Sequence, residues 1–308
     1  MEPFSRASGI ITHAGTPPAK ADAVLIFGGD GTVHRHLAKI VEYQLPTLVV
    51  PGGSGNDFAR SVGITTLDQA LAAWRDFVRD GTNVRTIDVG VIAPLANPHG
   101  TRTKNSEDQS PGLLQRAHAA AAKLLSSDAA ASGKGGPGRL FCCVGGIGFD
   151  SEANRRANAM PWWMRAHGGY VVAAARTLMT WKPVPIRVEL PDIGVTLEEP
   201  ASFVVFANAP SYGDGMRIAP HALLDDGLLD ICFVRGTSKA RIVTNFASIY
   251  SGSHLSLPEV EYFQTSRVRI ETEQPMDVYA DGEYVCPAPV EVSVRPKALK
   301  VIATTAAT

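Results

Sequence analysis

The sequence predicts an α/β layer at the N-terminus followed by a β-rich second half. Two observations carry this. Two short apolar runs, "AVLIF" (23–27) and "TLVV" (47–50), each end in a glycine cluster and then a helical pattern. From residue 85 onward the pattern changes to short strand-like runs separated by Gly, Pro or Asp. At 308 residues, 45% hydrophobic and 19% charged, the chain has material for two domains with a sizeable core.

Each element follows from its residues. "AVLIF" is rich in strand formers and enters "GGDGT" directly. Residues 33–43 read as a helix, with Val33, Leu37, Ile40 and Val41 at helical spacing. "TLVV" is a second buried strand running into "PGGSGND". "TTLDQALAAWRDFVRDG" is an amphipathic helix capped by Thr65 or Thr66. Leu67, Ala70, Leu71, Trp74 and Phe77 form its apolar stripe, and Gly81 stops it. This alternation predicts a parallel layer up to about residue 90.

The runs "RTIDVGVI", "RLFCCVGG", "PIRVELP", "ASFVVFANA", "GLLDICFV", "VEYFQ", "SRVRIET", "PMDVYADG" and "VEVSVRP" then predict an antiparallel sheet or sandwich. Helical patches at 162–181 and 238–250 interrupt them. Residues 96–138, rich in Ala, Ser, Gly and Lys, read as an exposed insertion with one helix near 112–125.

Composition narrows the function classes. A net charge of −1 leaves no electrostatic footprint for nucleic acid. Cys142, Cys143, Cys232 and Cys286 show no CxxC or His/Cys ligand spacing, which reads as buried free thiols in a reducing compartment. On a continuous strand, Cys142 and Cys143 would face opposite sides. The first residues lack the apolar core of a signal peptide. No run reaches about 18 consecutive apolar residues, the length of a membrane span. The expected location is cytosolic.

Strand, glycine loop, helix is a common way to hold phosphate, since exposed N–H groups and a helix N-terminus favour anions. Gly28, Gly29 and Gly31 let backbone approach a ligand, and Thr32 is placed to cap the helix. Turns needing positive φ would also explain the glycines. Asp30 adds information: an acid in a phosphate loop repels its ligand unless a divalent cation or a transferred proton compensates. Walker A carries Lys and Ser/Thr instead. In "PGGSGNDFAR", Gly52, Gly53 and Ser54 repeat the loop at the same sheet edge, Asn56 can donate to a phosphate or nucleotide hydroxyl, and Asp57 can cap the next helix. Asn-Asp also occurs as plain turn chemistry.

These two loops, with "IDVG" (87–90), "GGIGFDSEA" (145–153), "NAPSYGDGMRIAPHALLDDGLLDI" (208–231) and "YADGEYV" (279–285), resemble the diacylglycerol kinase catalytic family. That family includes bacterial lipid kinases and the sphingosine and ceramide kinases. The similarity runs over roughly 20–303, apart from the insertion. It implies ATP-dependent phosphorylation of a lipid hydroxyl, with an α/β nucleotide-binding domain at 1–92 and a C-terminal β-sandwich at 93–295 carrying the lipid cleft. The tail, about 296–308, would return to the first domain.

The resemblance also implies roles. Asp281 is the candidate base, supported by Glu283, and Asp30 holds Mg²⁺ near the phosphates. Whether Asp30 or Asp281 takes the proton stays open. On spacing alone, Asp281 and Glu283 lie two apart, on one side of a strand, while Asp-Gly is equally a hairpin signal. Asp150 would orient the lipid headgroup. Asp226, in "LLDDGLLD", matches a Mg²⁺-holding loop, although Leu223 stands where another carboxylate is expected, and the segment reads equally as a turn. His34 and His36 flank the first loop, within reach of a nucleotide, and read first as exposed helix residues. Trp162 and Trp163, beside Met164 and Arg165, suit a membrane interface or ordinary packing. The expected partner is a lipid at a membrane surface, with contact peripheral to the inner face.

Departures from the family are also visible. Its Asn-Pro-x-(Ser/Gly)-Gly loop is not among the 27 residues before Gly28. Arg35 or its neighbour replaces a common Glu, and the 96–138 insertion is unusual. The first departure supports an alternative, a catalytically impaired lipid-binding protein. NAD kinase shares GGDGT, but its Asn-x-Gly-x-Leu-Gly-Phe stretch is absent.

Overall fold

The computed structural model describes residues 21–95, 138–160, 169–213 and 215–304. The chain opens with β1 (Val24–Gly28), α1 (Asp30–Tyr43), β2 (Thr47–Pro51), α2 (Asp57–Ser61) and α3 (Leu67–Asp80). β1 and β2 pair in parallel, with Val24 opposite Thr47. α1 buries Val33, Leu37, Ile40 and Val41, the residues at helical spacing. It begins earlier than the spacing suggests. Gly29 is its N-cap and Asp30 its first residue, so "DGT" opens the first helical turn and Thr32 lies inside it rather than capping it.

α3 carries a capping box. Gln69 N–H donates to Thr66 Oγ1 at 3.2 Å, and Thr66 N–H donates to Gln69 Oε1 at 3.1 Å. Gly81, left-handed at φ 65°, ends it. Its buried face is Ala70, Ala73 and Trp74, while Leu67 is exposed. The apolar stripe is therefore narrower than the sequence pattern implies.

β3 (Val84–Pro94) is followed by β4 (Arg139–Phe141), β5 (Val144–Gly148), α4 (Phe149–Asn158) and α5 (Gly169–Thr180). Then come β6 (Val184–Leu190), β7 (Val195–Ala207), β8 (Leu229–Arg235), α6 (Lys239–Asn245) and α7 (Ser248–Ser251). The chain closes with β9 (Val260–Thr265), β10 (Arg267–Thr272), β11 (Asp277–Ala280), β12 (Glu283–Pro287) and β13 (Val290–Ile302). The run "RLFCCVGG" is thus two strands, broken at Cys142 and Cys143, rather than one strand with its cysteines on opposite faces. Residues 96–137, which hold nearly all of the expected insertion, lie outside the described residues.

Among the described residues the strands form one hydrogen-bonded sheet, ordered β1-β2-β13-β10-β6-β7-β5-β11-β12. β3 and β4 branch from β13, and β8 and β9 branch from β7. β1, β2 and the end of β13 make the parallel part, with Val301 opposite Thr47. β3 runs antiparallel to β13, so the parallel layer is shorter than expected. Alternation along β7 divides the interior in two: Val205 and Ala207 face the helices, while Val204 and Phe206 face the second core. Phe141 and Phe206 meet edge to face there, 5.3 Å apart. Gly90 and Gly145 make room for them, since a Cβ would stand 2.0 Å from the Phe141 ring and 2.2 Å from the Phe206 ring respectively. The architecture is a mixed α/β layer joined to a C-terminal β-sandwich-like domain.

β13 joins the two. Its start pairs with β10, its length with β3, and its end with β2. The register with β3 shifts between Arg295 and Leu299, where Lys297 takes a left-handed φ of 51°. Asp88, fully buried on β3, fastens this irregularity. One carboxylate oxygen accepts Lys297 N–H at 2.7 Å, and the other accepts Gly227 N–H at 2.7 Å. Replacing Asp88 with Ala strands both donors and should lower unfolding free energy by about 3 kcal/mol. Urea titration reads this, and an unchanged midpoint would mean that the junction holds without the carboxylate.

Candidate active site

The site is built where β1 and β2 end. Gly52 N–H donates to the Gly28 carbonyl at 3.1 Å, which brings the glycine loops side by side. They then touch. A Cβ on Gly53 would stand 2.7 Å from Gly29 Cα, and one on Gly29 would stand 2.9 Å from Gly53 Cα. These two glycines are required by loop contact alone, before any ligand is considered. Asn56 brackets Gly53: its Oδ1 accepts Gly53 N–H at 2.8 Å and its Nδ2 donates to the Gly53 carbonyl at 2.7 Å. The Asn56 amide therefore shapes the loop and keeps one N–H for a ligand. Gly52, Gly53 and Ser54 are exposed at the tip.

Asp30 reaches from α1 into the second loop. Its Oδ2 accepts Asp57 N–H at 3.1 Å and its Oδ1 accepts Phe58 N–H at 3.0 Å. Those are the first N–H groups of α2, so Asp30 is the acid at that helix end. The expected cap, Asp57, does something else. Buried, it accepts Gly213 N–H from the second half of the chain on Oδ2 at 2.7 Å.

The opposite wall comes from the β11–β12 hairpin. Ala280 pairs with Glu283, and the two turn residues have positive φ, 50° at Asp281 and 79° at Gly282. This is the primed two-residue turn that Asp-Gly favours. Asp281 and Glu283 thus lie across a turn, not on one side of a strand. The Asp281 carboxylate clasps the break between β4 and β5, accepting Cys142 N–H on Oδ2 at 2.8 Å and Cys143 N–H on Oδ1 at 2.9 Å. Asn208 braces the same break from behind, donating to the Cys142 and Asp88 carbonyls at 3.0 and 3.1 Å.

The hairpin also touches the first loop. His34 Nδ1 lies 3.4 Å from Asp281 Oδ2, and the His34 side chain is only 14% exposed. A Cβ on Gly31 would stand 3.1 Å from Glu283 Oε1. His34 is therefore part of the site and not an exposed helix residue. His36 is exposed.

Asp30, Asp57 and Asp281 line one cavity of about 230 Å³, with Asn154, Tyr212 and Tyr279 among the other walls. Among the described residues no Lys or Arg lines it. The buried thiols register the negative charge. Burial first, then Asp281 and Asp30, push Cys142 well above its ordinary pKa, and Cys143 follows for the same causes. Among the described residues no three side chains gather as a metal cage. Mg²⁺ does not need one: it commonly rests on one or two carboxylates with phosphate oxygens and waters. An all-oxygen donor set at a glycine loop fits that cation.

Asp226 lies elsewhere. Asp226 accepts Leu228 N–H at 3.0 Å in its own turn, and burial, with Asp88 nearby, raises its pKa. It does not line the cavity. The Asp150 side chain, Trp162 and Trp163 lie outside the described residues.

An α/β layer and a β-sandwich-like domain thus close on one carboxylate-lined cavity. The match to known proteins is specific. The model "Diacylglycerol kinase catalytic domain" covers residues 7–92, and "YegS C-terminal NAD kinase beta sandwich-like domain" covers residues 144–303. A diacylglycerol kinase of Mycobacterium tuberculosis is 33% identical over 283 residues, spanning 91% of this chain and 76% of that one. One from Bacillus subtilis is 23% identical over 281 residues, spanning 90% and 77%. A diacylglycerol kinase crystal structure from Bacillus anthracis superposes with a TM-score of 0.61 at 20% identity, covering 94% of this chain and 80% of that one. The chain belongs to the diacylglycerol kinase catalytic-domain family, with the YegS-type C-terminal β-sandwich.

The thiols give a direct check on site burial. Cys232 is pushed to about 12 by burial, and Cys142 and Cys143 are also raised. A raised pKa leaves the thiol protonated, so alkylation of these three at about pH 8 should be slow and should quicken as pH rises. Mass spectrometry after an iodoacetamide pulse should find them labelled only once the protein is unfolded. Rapid labelling of Cys142 or Cys143 in the folded protein would mean that the break is open.

Proposed function

We propose that this chain is an ATP-dependent lipid kinase, transferring the γ-phosphoryl group to the hydroxyl of a diacylglycerol-like or sphingoid-like lipid at the surface of a membrane facing the ATP pool. The observation that carries the reading is the meeting of Asp30 and Asp281, some 250 residues apart, on one cavity at the glycine loops. The names of the relatives support a lipid acceptor.

Each residue has a task in this reading. The Ser54 N–H at the exposed loop tip, the Asn56 amide and the α1 N-terminus receive phosphate. Mg²⁺, when bound, neutralises phosphate charge that the carboxylates would otherwise repel, and Asp30 would hold it with Asp57 beside it. Asp281 takes the hydroxyl proton as the oxygen–phosphorus bond forms and ADP leaves. His34 and the Cys142 and Cys143 amides hold the Asp281 carboxylate in place. Val33, Phe58 and Val144 give the cavity its apolar walls.

The carboxylates also carry structure, so removing charge is not a neutral change. Both oxygens of Asp30 and of Asp281 accept backbone N–H groups, and an Asn at either position would turn an NH₂ toward one of them. Asp281→Asn should lose on the order of 10²–10⁴-fold in transfer of labelled phosphate to a lipid panel. It should cost about 1–3 kcal/mol of stability and leave ATP binding near the parent value. Parent-level transfer in the folded variant would remove Asp281 from the chemistry. No transfer to any lipid by the parent chain would favour a binding protein instead.

A further inference from the structure

Tyr279 stands in the cavity wall two residues before Asp281, and the chemistry described so far gives it no task. Its place follows from the strand. On β11, Val278 and Ala280 turn into the second core, so Tyr279 turns the other way, toward the cavity and α4. Its partner across β5 is Gly146, which puts no side chain against the ring. Its partner across β12 is Tyr284, whose ring meets it edge to face, 5.8 Å away. Strand pairing on both sides and this ring contact hold the phenol in one place.

The hydroxyl has nothing to bond. Tyr279 is only 6% exposed, and among the described residues its hydroxyl meets no hydrogen-bond partner. A buried hydroxyl is costly to leave unpaired, and native structures seldom do so. Tyr279 opens on the cavity instead, so the missing partner is a ligand atom. Burial, with Asp277 nearby, pushes the phenol pKa up to about 12, so the group stays protonated and has a proton to donate.

The surroundings say what kind of atom receives it. Asp30 and Asp281 each spend both oxygens on backbone N–H groups, so the acceptor must come with the ligand. An ester carbonyl only accepts, and it matches the phenol proton. A sphingoid ammonium would be drawn by the carboxylates, but it only donates and leaves that proton unspent. A phosphodiester also accepts, but its charge meets Asp30, Asp57 and Asp281 in the same cavity.

We propose that Tyr279 selects the acceptor: its hydroxyl donates to the acyl ester carbonyl next to the free hydroxyl of a neutral glycerolipid, and so holds that free hydroxyl before Asp281. The proposal rests on the lipid-kinase reading for the class of ligand, and it narrows that class to ester-bearing, uncharged headgroups.

Equilibrium dialysis of the full chain with dioctanoylglycerol, and with dioctylglycerol, whose ethers replace the ester carbonyls, tests it without requiring turnover. The parent should bind the ester about tenfold more tightly than the ether. Tyr279→Phe keeps the ring against Tyr284 and removes only the hydroxyl. It should weaken ester binding about tenfold and leave ether binding unchanged. Parent-like ester binding in the folded variant overturns the proposal. Equal loss of ester and ether also overturns it, since the hydroxyl would then serve packing and not the carbonyl. So does a parent chain that binds the two alike, binds neither, or prefers sphinganine to the ester. A labelled-phosphate assay on the same lipids separates this from the kinase reading. The predicted binding pattern without transfer leaves Tyr279 assigned and sinks the kinase. Transfer to the ester at parent kcat/KM in Tyr279→Phe does the reverse.

Discussion

Carboxylates clasped by backbone N–H groups from distant parts of the chain hold this structure together. Burying a carboxylate is costly unless its oxygens are satisfied, and here backbone amides satisfy them. Asp281 closes on Cys142 and Cys143, Asp30 on Asp57 and Phe58, and Asp88 on Gly227 and Lys297. Asp57 adds Gly213. Each carboxylate ties down a helix end, turn or strand break whose N–H groups the sheet ladders leave unpaired. The hairpin, the β4–β5 break and the two glycine loops are mutually positioned through these acids. Asp30, Asp57 and Asp281 also line the cavity, so in the proposed function structural and chemical roles fall on one set of atoms.

This coupling explains the division of labour between halves. The α/β layer contributes loops rich in N–H groups, suited to phosphate, together with Asp30 and Asp57. The sandwich contributes Asp281, Tyr279 and the Cys142–Cys143 break. β13 runs through both and ends beside β2, where Ala303 N–H donates to the Asn83 carbonyl at 3.0 Å. A rigid strand bridging the halves keeps the two walls in register, as a preorganised site requires.

Much of this was legible in the residues. The period of α1, the capping box of α3 and the strand runs of the second half are local signals, and local physics decides them. "GGDGT" and "PGGSGNDFAR" pointed to the correct sheet edge. Their glycines, though, answer first to each other across the loops, a tertiary contact with no local signature. His34 was missed because α1 was read from residue 33. A helix starting at Asp30 puts His34 one turn on, on the same side as Asp30 and facing the hairpin. The break at Cys142 and Cys143 was hidden because two apolar cysteines look like strand. Only Asp281, 138 residues later, draws their amides out of the sheet. The Asp-Gly signal was read both as a hairpin and as a catalytic carboxylate, and the turn geometry accommodates both. α4 gave no signal, because its start is set by Gly148 at φ 108°.

The central proposal is that the cavity, lined among the described residues by three carboxylates and no lysine or arginine, accepts a nucleotide only together with a divalent cation. Calorimetric titration of ATP into the full chain, with Mg²⁺ and again with the metal chelated, measures this directly. The account predicts saturable binding with Mg²⁺ that is lost on chelation and restored by adding the metal back. Equal ATP affinity with and without Mg²⁺ would contradict it.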